Sequence, residues 1–321
     1  MDRRHLIAAL LAFPLCAGTP LAQEYPTRPV RLIVPFPAGG SSDVVARTIA
    51  QGLSANLGWQ FIVENRAGAA GNVGTDAVAK ATADGYTLAL STSGPLANNK
   101  FLYKSMPYDP EKAFTPVVLV GEIPLVIVAN LAVPAKNLKE FIDLARSQPG
   151  KLTFASTSSG PQMAGELFRL TTKTQMLHVP YKGGGPATAD LLAGHVSIMF
   201  GNPTAVVPHI KAGKLRALGV MDSKRNPAIP DVPTALEAGY PELSNVIEWY
   251  GVVVPAATPR ERVALLSAAV LQAMHSPDIS ARIQALGQTL SPLGAEDFGA
   301  FMRAEYDRWG QVVKASGAKA D

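Results

Sequence analysis

The sequence predicts an α/β protein of two lobes, each a mainly parallel sheet flanked by helices. Three observations predict it. Short β-rich runs alternate with helical patterns almost throughout, as parallel strands joined by helical crossovers require. A length of 321 residues suits two domains at roughly 100–200 residues each. The chain enters a second α/β unit near Gly121 to Pro124 and returns near Ile247 to Gly251. Two lobes joined by two connections can close on a ligand by bending.

The elements follow in order. Val30 to Val34 is a β-branched strand ended by Pro35, and a helix runs over 43–57 to the stop at Gly58. Strands follow at Trp59 to Glu64 and Tyr86 to Ser91, with a helix near 74–81 between them. Val117 to Val120 and Leu125 to Asn130, separated by Pro124, form one long strand or two. Asn137 and Glu140 have capping-box spacing and open a helix to Gln148. Strands are expected at Leu152 to Ser156, Leu177 to Tyr181, Val196 to Phe200, Leu215 to Val220 and Ile247 to Val254. Helices are expected at Ala164 to Thr172, Thr188 to Ala193 and Thr234 to Ala238, then near 259–274, 277–286 and 295–315. The predicted domains are 23–123 with 248–321, and 124–247.

Residues 1–22 stand apart from this fold. Arg3 and Arg4 precede an apolar run from Leu6 to Cys16, and small residues lead to Ala22. The run is shorter than the ~20 residues a membrane span needs, so it predicts a cleaved signal peptide and a periplasmic protein. Cys16 is the only cysteine, so the mature chain forms no disulfide. Losing Asp2, Arg3 and Arg4 lowers the net charge from +4 to +3. The remaining Lys and Arg are scattered without a block, which argues against nucleic-acid binding.

Four loops after strands share a small, hydroxyl-rich composition: Phe36 to Ser42, Ser91 to Pro95, Ser156 to Gln162 and Tyr181 to Pro186. The first runs Phe36-Pro37-Ala38-Gly39-Gly40-Ser41-Ser42 into a helix. Backbone amides at such a corner, with the helix dipole behind them, suit a carboxylate; a plain βα turn has the same composition. All four belong at the carboxyl ends of parallel strands, where open sheets bind ligands, two in each lobe.

The catalytic search is negative. There is no His-Glu-x-x-His pair, no Gly-x-Ser-x-Gly elbow, no P-loop lysine and no mature cysteine. Gly68 to Gly74 has the wrong glycine spacing for a dinucleotide loop. No cofactor and no metal are expected. Trp249 and Tyr250 either line a pocket or pack into the core.

The chain closely resembles the solute receptors of tripartite tricarboxylate transporters, the Bug-type periplasmic binding proteins. The matching stretches include Val34-Pro35-Phe36-Pro37-Ala38-Gly39-Gly40-x-x-Asp43, Val63-Glu64-Asn65-Arg66, Asp84-Gly85-Tyr86-Thr87-Leu88, Ala164-Gly165-Glu166-Leu167-Phe168, Val179-Pro180-Tyr181-Lys182-Gly183 and Trp249-x-Gly251. The resemblance implies a type II, Venus-flytrap receptor, not an enzyme, that hands a di- or tricarboxylate or an aromatic acid to a membrane permease. A monomer is expected. A sensor role at a membrane kinase and an exported α/β hydrolase are the alternatives. The resemblance places one ligand carboxylate at Phe36, Pro37, Ala38, Gly39, Gly40 and Ser41. It assigns the rest of the ligand to Ser91, Thr92, Ser158, Ser159, Gly160, Gln162, Tyr181 and Asn202. Two departures stand out: Gly201-Asn202 where the family often has an acid, and Met163 where it commonly has histidine. Without that acid the cleft lacks a partner for an ammonium group, so plain or aromatic acids are expected over amino acids.

Overall fold

The computed structural model describes residues 25–244, 246–285 and 287–320. The proposed signal peptide lies outside them.

The order is β1 (Val30–Val34), α1 (Ser41–Leu57), β2 (Phe61–Asn65), α2 (Asn72–Ala79), β3 (Thr87–Thr92), α3 (Asn99–Leu102) and β4 (Phe114–Pro124). It continues with β5 (Val126–Asn130), α4 (Leu138–Ser147), β6 (Thr153–Ser156), α5 (Ser159–Thr172), β7 (Leu177–Pro180), α6 (Gly184–Ala193), β8 (Ile198–Gly201), α7 (Pro203–Lys211) and β9 (Leu215–Val220). β10 (Ile247–Pro255), α8 (Arg260–Met274), α9 (Pro277–Ala285) and α10 (Ala295–Ser316) complete it.

Two five-stranded sheets result, ordered β2-β1-β3-β10-β4 and β7-β6-β8-β5-β9. In each, four strands run one way and one runs against them: β10 in the first, β5 in the second. The reversed strand is the one that arrives from the other sheet. Only Leu125 separates β4 from β5, so the two apolar runs are two strands in different sheets. On the return, the Met221 amide donates to the Leu125 carbonyl and the Val246 amide to that of Met221. β10 then pairs with β4, with Ile247 opposite Pro124 and Glu248 opposite Ile123. The two crossing strands are therefore hydrogen-bonded to each other where they cross.

Each sheet has its own core. Val30, Leu32, Val45, Ile49, Leu88 and Val252 pack on one face of the first, and Ile33, Ala89, Trp249 and Phe298 on the other. Phe141, Phe154, Phe168 and Phe200 fill one face of the second. α10 belongs to both, because Phe298 packs in the first core and Trp309 and Val313 in the second. Burying such side chains contributes roughly 1.5–3 kcal/mol each, so the last helix clamps the lobes together.

Several expectations are corrected. α5 starts at Ser159 rather than Ala164, and α6 at Gly184 rather than Thr188. Residues 203–211 form α7 where no helix was expected. Each of these helices carries a proline in its first turn (Pro161, Pro186, Pro203), where the missing N–H has no intrahelical partner to lose. The helix expected at Thr234 to Ala238 is instead a series of turns. α4 follows the expected capping: the Asn137 Oδ1 accepts from the Glu140 amide at 2.9 Å, and the Glu140 carboxylate accepts from the Lys136 amide at 2.7 Å.

Candidate functional site

The carboxyl ends of β1, β2 and β3 in one sheet and of β6, β7 and β8 in the other open on a shared cavity of about 1460 Å³. Sequence alternation and helix starts decide what each contributes.

At the β1–α1 corner, Phe36, Pro37, Ala38, Gly39, Gly40 and Ser41 all line the cavity. Gly40 is the N-cap of α1 and supplies no side-chain cap. The loop is held from behind by Asp43. Its Oδ2 accepts from the Gly39 amide at 2.9 Å and from Arg47 at 3.0 Å, and its Oδ1 accepts from Asn65 at 3.0 Å. Asn65 also donates to the Phe36 carbonyl at 3.1 Å. Burial pushes the Asp43 carboxyl up, but the hydrogen bonds from Arg47, the Gly39 amide and Asn65 outweigh it and hold it below its ordinary value. The Gly39 amide is therefore turned to Asp43, and the amides left for a ligand are those of the first turn of α1. Gly39 has a φ of +79°, a conformation glycine adopts at little cost.

In the second lobe Ser158, Ser159, Gln162, Tyr181 and Asn202 line the cavity. Ser158 is the N-cap of α5, but its hydroxyl does not cap the helix; it donates to the Glu248 Oε1 at 2.9 Å. The Ser159 hydroxyl donates to Asn99, and the Gln162 side chain donates to the Lys319 carbonyl at 2.8 Å. Tyr181 donates to Asp190 at 2.6 Å, and its hydroxyl is pushed up to about 12 by burial and by that acid. α6 has Gly183 as its N-cap and so no side-chain cap. Asn202, by contrast, caps its own helix, accepting from the Thr204 amide at 3.1 Å.

Thr92 lines the cavity with its hydroxyl buried and without a hydrogen-bond partner among the described residues; Thr188, on α6, does the same. Ser91 and Gly160 do not line it. Ser91 points to the opposite face of β3, as strand alternation demands, and meets Thr75 at 3.1 Å. Gly160 faces Glu248, whose Cγ lies 3.1 Å from where a glycine Cβ would be.

β10 supplies a wall from which sequence reasoning offered Tyr250 as one alternative and missed Glu248. Glu248 and Tyr250, two residues apart, both line the cavity. Trp249 between them is buried in the core against Phe298 and Phe301. The Tyr250 hydroxyl donates to Ser41 at 3.1 Å; burial and then the Glu248 charge push it well above its ordinary value, opposed by hydrogen bonds with Ser41, Ser42 and Asn202. Glu248 overturns the expectation of a cleft without an acid. The usable signal was an acid within an otherwise apolar strand, since a buried charge is informative where an exposed one is not. Met163 is fully buried in the second core and not on the cavity.

One pair resembles catalytic machinery: the Ser156 hydroxyl lies 2.7 Å from the His178 Nε2, and the imidazole stacks on Phe154. Burial and the neighbouring Arg169 charge hold the imidazole below its ordinary value. No carboxylate contacts His178 among the described residues, so the group that orients a catalytic imidazole is missing. Among the same residues no group of three His, Cys, Asp or Glu is placed to hold a metal, and no helix is long and apolar enough to cross a membrane.

Residues 45–318 match the family model described as tripartite tricarboxylate transporter family receptor. The chain is 41% identical to protein BugT of Bordetella pertussis, covering 99% of both chains. It is similar to Rpa4515 of R. palustris, solved with adipate, at 35% identity and a TM-score of 0.85, covering 92% of this chain and 99% of that one. It is also similar to MatC of Rhodopseudomonas palustris, solved with bound malate, at 34% identity and a TM-score of 0.80, covering 90% of this chain and 100% of that one. The chain belongs to the tripartite tricarboxylate transporter receptor family, a family of two-lobed solute-binding proteins rather than enzymes.

Proposed function

We propose that this chain is exported to the periplasm, captures a small carboxylate in the cavity between its lobes, and delivers it as a monomer to a membrane permease. The observation that carries the ligand class is the set of helix starts. α1 and α6, one from each lobe, begin on the cavity with no side-chain cap, leaving first-turn amides and positive dipole ends for an anion, while the start of α5 already meets the Glu248 carboxylate through Ser158. Among the described residues Lys182 is the only lysine or arginine lining the cavity, so the grip comes from dipoles and hydroxyls. The α1 corner takes one carboxylate, and Thr92, Ser158, Ser159, Gln162, Tyr181 and Asn202 surround the rest. The adipate and malate of the two structural relatives support the same class. The lobes are taken as 23–123 with 248–321, and 124–247, with α10 bridging them.

The test is mass spectrometry of ligand co-purified with the protein, followed by a thermal-shift panel of mono-, di- and tricarboxylates and aromatic acids. A ligand at a hundred times its Kd adds about 2.7 kcal/mol of stability, an easily measured shift. A panel with no stabilising acid overturns the reading.

A further inference from the structure

We infer that Glu248 selects the ligand, and that the ligand is a carboxylate carrying an O–H or N–H donor that reaches Glu248. This rests on the carboxylate-receptor reading above.

Four acids are buried among the described residues: Asp43, Glu166, Glu248 and Glu305. Three are paired with an arginine on their own helix. Asp43 meets Arg47 at 3.0 Å, Glu166 meets Arg169 at 2.8 Å, and Glu305 meets Arg308 at 3.4 Å. Glu305 also accepts from the indole N–H groups of Trp249 and Trp309 at 3.1 and 2.9 Å. These are structural acids, and the fold satisfies them. Glu248 is the exception. It is 7% exposed, yet it forms no ion pair among the described residues, and its single hydrogen bond is the one from Ser158. Its second carboxylate oxygen has no partner there.

That oxygen is not closed off from the cavity, yet the carboxyl as a whole is largely desolvated and holds one hydrogen bond, so its charged form is under-satisfied. A core position loses nothing by replacing it with an apolar residue, but this position is not core: Glu248 is on the cavity wall. The side chain is also fixed. The first turn of α5 packs on it so closely that a Cβ at Gly160 would lie 3.1 Å from its Cγ. A fixed, under-satisfied acceptor on the wall of a binding cavity is complementary to a donor that arrives with the ligand.

The sign of the chemistry narrows the ligand. Burial pushes the Glu248 carboxyl up, opposed by the hydrogen bond from Ser158; the ionised form only accepts hydrogen bonds, so a donor brought by the ligand is what favours that form. A second carboxylate shares such a site only if one of the pair holds a proton, whereas a hydroxyl or ammonium completes its hydrogen bonding. The two sources share one requirement, a donor, and differ in charge.

The experiment measures affinity by calorimetry for matched acids that differ at the remote end: gamma-aminobutyrate against succinate, epsilon-aminocaproate against adipate, and para-hydroxybenzoate against terephthalate. In at least one pair the donor-ended member is expected to bind the wild-type protein at least about tenfold tighter, a difference of about 1.4 kcal/mol. Tighter binding of the amines than of the phenol identifies ammonium as the donor, and the reverse identifies hydroxyl. Glu248→Gln, whose amide both donates and accepts, is expected to collapse that ratio, and Glu248→Asp to keep part of it. The wild-type ratio needs no variant, so misfolding of a variant leaves the inference testable. Acids that bind with the dianion equal or preferred, or a ratio unchanged in a folded Glu248→Gln, overturn the inference and leave the carboxylate-receptor reading standing. If no acid binds, both fall together.

Discussion

The start of α4 and the start of α1 solve the same problem in opposite ways. α4 begins on the protein surface, and Asn137 and Glu140 satisfy the amides at its entrance. α1 begins on the cavity at Gly40, with no side-chain cap. Glycine at an N-cap costs only about a few tenths of a kcal/mol against Asn or Asp, so the missing cap is easily offset by burial of a single core side chain such as Ile49. α8 and α10, which start away from the cavity, also lack a side-chain cap, so what sets α1 apart is that its uncapped first turn faces the cavity. α7 lies between the extremes: it opens on the cavity rim, yet Asn202 caps it.

The sharpest way to break this comparison is to give α1 the cap it lacks. A Cβ at Gly40 meets only the Pro37 carbonyl, at 3.4 Å, and the backbone φ of −75° suits any residue. Gly40→Asp therefore folds, and its carboxylate occupies the amides meant for the ligand. The expected loss of affinity is at least about 100-fold, or roughly 2.7 kcal/mol, with stability changed by only a few tenths of a kcal/mol. Affinity within about threefold of wild type in calorimetry removes the α1 corner from the site. The converse change, Asn137→Ala, is expected to lower stability by about 1 kcal/mol in urea unfolding and to leave affinity untouched; an effect on affinity erases the distinction between the two helix starts. The smallest effect concerns pH. The folded Asp43 carboxyl lies below its ordinary value of 3.8, so its contribution is complete above that value and is lost as the pH falls through the folded one. Asp43→Asn should flatten the acid limb of melting temperature against pH. An unchanged acid limb shows that Asp43 does not hold the loop through its charge.

The strands were legible because β-branched runs such as Val30 to Val34 admit few other readings. The starts of α4, α8, α9 and α10 were legible too, but those of α5, α6 and α7 were not. Ser159-Gly160-Pro161, Gly184-Gly185-Pro186 and Pro203-Thr204 look like loops by composition, and local propensity does not register that a first helical turn tolerates proline and that tertiary packing supplies the rest. The lining loops followed from strand ends, so most of the cavity wall was readable. Ser91 was misplaced because alternation along β3 sends adjacent residues to opposite faces. The same alternation separates Glu248 and Tyr250 from Trp249, but only the register of β10 against β4 tells which face looks into the cavity.

That register has a mechanical side. β4 and β10 cross between the lobes side by side, bonded as a two-stranded ribbon. A ribbon yields to bending across its flat face and resists shear and splaying within its plane. Lobes joined this way keep far fewer degrees of freedom than lobes on two independent tethers, so less entropy is surrendered when a solute brings them together. Glu248 sits on the ribbon itself, opposite Ile123. It is mounted at the crossing of the two strands, where bending of the ribbon displaces it least.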